Sequence, residues 1–216
     1  MLFDLDRLSA EERNKLVTAT VVPRPIAWVV SRNVDGKLNC APFSFFNAVS
    51  GDPPVICIGV GSRAGNPKDT ASNIHRTGEF VVNLVPESLV RAMNITAIDF
   101  GPEVNELDEA TLETLPGTKV QVPRIAASPV ALECQRIVTL EIGIARSIIV
   151  GRILAMHVAD EAVLDRSKCY IDTPKLHLVG RMHGAGWYAR TDDQFQLPRI
   201  DERQWRALVE EPKCKS

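Results

Sequence analysis

Paired cysteines are missing. The five cysteines, Cys40, Cys57, Cys134, Cys169 and Cys214, stand singly, without the even count of a disulfide framework or the spacing of a zinc site. They read as reduced thiols, mostly core filler. The four histidines show no metal-ligand spacing either: His75 falls in a predicted helix, His157 in a predicted strand, and His177 and His183 near a glycine-rich turn. No metal site is expected. Long apolar runs are also absent. The opening MLFDLDRLSAEERNKL is broken by acids and bases, unlike a secretory signal, and no later stretch reaches membrane-spanning length, so a soluble cytoplasmic protein is expected. Charge of one sign is lacking too: 25 Lys and Arg against 27 Asp and Glu leave a net charge of -2. No overall field draws in nucleic acid or an anionic membrane, so any anion site must be local. The Walker loop, the glycine fingerprint of a Rossmann site and G-x-S-x-G do not occur, which leaves triphosphate, Rossmann-dinucleotide and serine-hydrolase readings unsupported.

What is present is an ordinary globular balance, 45% hydrophobic and 24% charged. One domain over residues 1–216 is expected, with its core at about 18–200, an irregular excursion over 97–127 and a tail at 201–216. Ser9 with Glu12 forms a capping-box pattern and predicts a helix ending before Thr18. IAWVVS, the turn-like NVDG and a run from Leu38 to Phe46 predict a hairpin, and VICIGV a strand buried on both faces. DTASNIHRT, between the N-cap candidate Asp69 and Gly78, predicts a short helix, followed by the strand EFVVNLV and a helix over ESLVRAMN. Further on, Leu132, Cys134, Val138, Leu140, Ile142 and Ile144 share one face of a strand, with Glu133, Gln135, Thr139 and Glu141 on the other. IIVGRILAMHVA returns as its partner, and DERQWRALVEE predicts a surface helix. Because helices are inserted rather than alternating with strands, the pattern favours a mainly β antiparallel barrel with peripheral helices over a doubly wound parallel sheet. The excursion, rich in proline, glycine and acids, is expected to reach over a partner subunit.

Three segments carry candidate chemistry. GSRAGNPKDT gathers Ser62, Arg63, Lys68 and Thr70 at a strand-to-helix junction, where free N–H groups, hydroxyls and cations suit a phosphate. The same stretch reads equally as a solvated basic loop with a capped helix. NCAPFSFFNAVSGDPP mixes small, aromatic and amide residues, so the backbone near Ser44, Phe45, Phe46 and Asn47 suits a flat ring with donors and acceptors on its edge. An aromatic core strand is the alternative there. GRMHGAGWYARTDDQF brings His183, Trp187 and Tyr188 together with glycines, as a flap capping a ring or as a plain turn anchored by aromatics.

PRPIAWVVSRNVDGKLNCAPFSFFNAVSGDPPVICIGV followed by KDTASNIHRTGEFVVNLV closely resembles the flavin-reductase-like, FMN-binding split-barrel family, and the likeness continues more loosely through SPVALECQ and VGRILAMHV to GWYARTDDQFQL. The resemblance implies a Greek-key-like antiparallel split barrel, a homodimer with FMN near the subunit interface, and hydride transfer from NADH or NADPH to the flavin and then to an acceptor. That acceptor includes a flavin-using monooxygenase among its candidates. A flavin-binding electron carrier with little nicotinamide activity is the other implied function. Carried onto this sequence, the phosphate falls to Ser62, Arg63, Lys68 and Thr70 with Arg24 beside them, and the ring to Ser44, Phe45, Phe46 and Asn47. His183 and Tyr188 are the catalytic candidates over the flavin, and HGAGWY stands where relatives commonly show a glycine pair before the tyrosine.

Overall fold

The computed structural model describes residues 1–101 and 103–210. Helix α1 (Ala10–Thr20) leads into β1 (Ala27–Arg32), β2 (Leu38–Phe43), β3 (Phe46–Gly51) and β4 (Pro54–Val60). A small hairpin, β5 (Ser62–Arg63) and β6 (Asn66–Pro67), precedes α2 (Asp69–Thr77) and β7 (Glu79–Asn83). Next come α3 (Val90–Ile95), α4 (Glu106–Glu109) and the short pair β8 (Thr114–Leu115) and β9 (Arg124–Ile125). The long hairpin β10 (Val130–Gly143) and β11 (Arg146–Val158) follows. Two further hairpins, β12 (Val163–Asp165) with β13 (Tyr170–Ile171) and β14 (Val179–Arg181) with β15 (Tyr188–Arg190), lead to α5 (Glu202–Glu210).

Seven strands form one antiparallel sheet in the order β2-β1-β7-β10-β11-β4-β3. Its two edge strands are joined by only Ser44 and Phe45. Six interstrand steps laid flat would separate those edges by about 29 Å, whereas the three Cα steps from Phe43 to Phe46 reach at most about 11 Å. The sheet must therefore curl until its edges meet, and the Gly59 N–H, which donates to the Phe45 carbonyl at 2.7 Å, carries the β3–β4 ladder into the link itself. The result is the antiparallel barrel expected from the strand pattern. The run predicted from Leu38 to Phe46 as one strand is thus broken, because the chain changes sheet edge at Ser44.

Alternation on β1 sends Ala27 and Val29 into the barrel with Phe43, Ile56, Phe80 and Leu132, and Ile74 of α2 joins them. Trp28 and Val30 point outward, where Met93, Leu107, Val120, Val122 and Ile125 cover them in a second cluster. The stretch at 97–127 lies across the outer face of its own sheet, which explains why both faces of β1 are buried. Buried polar groups tie it down: Trp28 Nε1 donates to Thr96 Oγ1 (2.9 Å), the Ile125 N–H donates to Asn83 Oδ1 (2.9 Å), and Glu133 accepts from Thr118 and Val120.

The capping box at Ser9 and Glu12 forms, but α1 runs on to Thr20 rather than stopping before Thr18, because Arg24 holds its last carbonyls from outside the helix. Lys68, not Asp69, is the N-cap of α2, and Gly78 closes that helix in the left-handed region at φ 76°. On β10 the apolar face divides: Leu132 and Cys134 are buried, whereas Val138, Leu140, Ile142 and the following Ile144 are exposed where the hairpin projects past the barrel. Register shifts at Glu133/Cys134 and Arg136/Val138 interrupt the simple alternation. Cys40 and Cys134 are buried, Cys169 is exposed in a turn, and Cys214 lies outside the described residues. No helix among the described residues is long and apolar enough to cross a membrane.

Gly151 of β11 faces the fully buried Phe80: a Cβ there would stand 2.6 Å from Phe80 Cζ and 3.1 Å from Cε1. Gly151→Ala is expected to overpack the barrel and cost about 1–3 kcal/mol, read as a lower thermal midpoint with the folded spectrum retained.

Candidate functional site

After β4 the chain turns through β5 and β6, with Ala64 and Gly65 at the tip in the left-handed region (φ 47° and 81°), and enters α2 at Lys68. The side chain of this N-cap makes no capping hydrogen bond, so the first N–H groups of a nine-residue helix have no side-chain cap there. Thr70 is buried in the first turn, and its hydroxyl donates to Asn39 Oδ1 at 2.7 Å. Asn39 in turn donates to Glu106, whose other oxygen accepts the Cys40 N–H at 3.0 Å. Lys68 Nζ lies 6.0 Å from the Phe43 ring centroid. Arg63 reaches the other way, donating to the carbonyls of Asp99 and Phe100, each at 3.0 Å.

These groups line a cleft of about 190 Å³ between β2, the start of α2 and residues 96–100. A second cleft of about 190 Å³ is lined by Ile26, Phe43, Ser44, Asn94, Arg181 and Tyr188. The two share Pro42 and Ala97 and so adjoin along β2. One end has an uncapped helix start with two cations, suited to an anion; the other has two aromatic rings and small residues, suited to a flat ring system.

Sequence-predicted residues divide between these places. Arg63, Lys68 and Thr70 line the anion-suited cleft, and Ser44 and Tyr188 the other. Ser62 lies half-buried in β5 outside both clefts. Phe45 is exposed, Phe46 packs against the barrel interior, and Asn47 is exposed with Oδ1 accepting the Ala48 N–H; none of the three lines either cleft. His183 stacks on Trp187 with ring centroids 5.8 Å apart, also outside them. Gly184 and Gly186 of that turn take φ 57° and 89°, which residues with a Cβ rarely adopt.

Arg24 is buried beneath the site and acts as a brace. Its Nη1 donates to the carbonyls of Thr18 and Val21 at the end of α1, its Nη2 to Met182 and its Nε to Ser44 Oγ. A guanidinium against the carbonyl end of a helix is favoured by the helix dipole. Burial, and then the like charge of Arg181, push its pKa below the usual arginine value.

Among the lining residues that escaped the sequence reading are Asn39, Asp99, Glu106 and Arg181. Arg181 lies 4.9 Å from the Tyr188 ring centroid and donates to the Gly184 carbonyl. Asn39 and Arg181 stand inside segments already singled out for composition. Asp99 and Glu106 belong to the irregular excursion, where no periodicity marks which acids turn inward.

Residues 19–183 match the model of the flavin reductase like domain. An uncharacterized protein of Deinococcus radiodurans is 47% identical over 209 residues, covering 94% of this chain and 92% of the relative. Among solved structures, nitrilotriacetate monooxygenase component B from Bacillus cereus superposes with a TM-score of 0.86 at 32% identity, over 91% of this chain and 98% of that one. The 2-nitrobenzoate 2-nitroreductase of Pseudomonas fluorescens gives a TM-score of 0.85 at 33% identity, over 93% and 96%.

Proposed function

The chain belongs to the flavin reductase-like family, and from that membership we propose that it binds FMN along β2 and takes hydride from NADH or NADPH for delivery to an acceptor. The observation that carries the reading is the uncapped start of α2 beside Lys68 and Arg63, continuous with the cleft of Ser44 and Tyr188. A phosphate fits the first and a ring system the second.

The flavin, when bound, supplies the hydride-accepting chemistry. The chain's own residues bind and orient. Lys68, Arg63 and the α2 amides hold the phosphate, while Thr70, already anchored to Asn39, fixes the helix start against β2. Tyr188, held against Arg181, walls the ring end, and Arg24 ties Ser44 to the turn bearing His183. His183 and Tyr188 are the residues proposed to stand over the reacting ring face. The solved relatives' names, a monooxygenase component and a nitroreductase, support an acceptor that differs among family members.

The decisive assay follows nicotinamide absorbance in the cytoplasmic-type buffer of a purified sample, with and without added FMN. FMN-dependent oxidation of NADH or NADPH is expected. A yellow protein that oxidises neither would be a carrier instead, and a colourless one with no affinity for FMN would overturn the proposal.

We also infer a homodimer. Ile137, Val138, Leu140 and Ile142 of β10 are exposed on the projecting hairpin, and Leu154 and Met156 of β11 are exposed nearer its base, apolar surface of the kind that marks subunit contacts. The double variant Leu140→Asp, Ile142→Asp is expected to be monomeric by light scattering while the parent is dimeric.

A further inference from the structure

The anion-suited cleft contains its own competitor for the phosphate. It is lined by two cations, Arg63 and Lys68, and by three carboxylates, Asp69, Asp99 and Glu106. A site meant to grip a dianion tightly would carry a surplus of positive charge, and this one does not. The three acids are used differently. Asp69 stands in the first turn of α2, where the helix dipole favours it. Glu106 is committed to Asn39 and the Cys40 N–H. Asp99 alone engages a cation of the cleft: its carboxylate lies 3.7 Å from Arg63 Nε, while its carbonyl and that of Phe100 accept from the two terminal nitrogens of the same guanidinium.

Resting on the FMN reading above, we propose that Asp99 sets how strongly the site distinguishes phosphorylated from unphosphorylated flavin. Paired with Asp99, Arg63 offers the phosphate only part of its charge, and a phosphate brought to Arg63 meets a carboxylate already there. The cleft therefore gains less from the phosphate than it would if Arg63 were free of that carboxylate. Because the Asp99 side chain is 67% exposed, solvent screens its charge and its influence is moderate.

The test titrates full-length protein with FMN and, separately, riboflavin, following the quenching of flavin fluorescence, for the parent, Asp99→Asn and Asp99→Ala. Removing the carboxylate keeps both main-chain carbonyls on Arg63. Both variants are expected to bind FMN about threefold to tenfold more tightly, with riboflavin little changed, and the gain is expected to shrink as salt is raised. The two substitutions guard against an Asn side chain that keeps a hydrogen bond to Arg63. If the parent binds FMN and neither variant binds it more tightly, Asp99 is not the determinant, although the flavin site stands. An equal gain for riboflavin would also overturn the proposal, since the effect would then not involve the phosphate. If no flavin binds any of the three proteins, the underlying reading falls and this inference with it.

Discussion

Replacing Arg63 and Lys68 together by alanine is expected to weaken FMN binding by about two to three powers of ten. Each charge-assisted contact to a phosphate is worth roughly 1.5–3 kcal/mol, or about one to two powers of ten in affinity. The two residues do not contribute equally. Arg63 already donates to two carbonyls of the excursion, so a phosphate recruits it only by sharing or displacing those bonds. Lys68 contacts no carboxylate among the described residues, its nearest partner being the Phe43 ring. The larger share of the loss is therefore expected in the Lys68→Ala single variant. Riboflavin, lacking the phosphate, is expected to bind the double variant and the parent alike. Unchanged FMN affinity in the double variant would contradict the placement of the phosphate at α2.

Glu133→Gln is expected to cost about 3–5 kcal/mol of stability, the usual consequence of removing one partner from a buried ionic cluster. The Glu133 side chain has no exposed surface. Its carboxylate accepts from the Thr118 N–H (2.8 Å) and hydroxyl (2.9 Å), the N–H groups of Lys119 and Val120, and His157 Nε2. A glutamine amide would turn donors toward donors. The thermal midpoint should fall by roughly 6–20 °C. The acid dependence follows from the same geometry. Burial alone would raise this carboxyl, but hydrogen bonds from His157, Thr118 and Lys119 outweigh it and hold the pKa at about 2, below its ordinary value of 4.5. A folded-state pKa below the unfolded one means the stabilisation is fully present above about 4.5 and lost as pH falls through about 2. The gap in thermal midpoint between parent and variant should close over that interval. A variant that melts with the parent at neutral pH would show that Glu133 does not secure residues 118–120.

Glu133 also shows where sequence reading stops. Alternation along β10 put it on the polar face with Gln135, and locally that is correct. It is buried because residues 118–120 fold over it, and their sequence has no repeat to announce the contact. Elements governed by neighbours in the chain were legible: the Ser9 and Glu12 capping box, the β1–β2 hairpin, the helix stopped by Gly78. Those governed by distant partners were not. The end of α1 depends on Arg24, which also reaches Met182. The candidate site was legible in part for the same reason. Arg63, Lys68 and Thr70 sit within one short loop, whereas Asp99 and Glu106 reach the cleft only through the path of the excursion.

The two-residue link between β2 and β3 ties the shape of the cleft to the closure of the wall. Ser44 serves as clasp and as pocket lining at once, so an insertion at that point would open the cylinder and shift the ring end in a single stroke. Length variation has to be accommodated at places that carry neither duty, such as the Asn33–Gly36 bend, where Asn33 Oδ1 already accepts two main-chain N–H groups of its own loop.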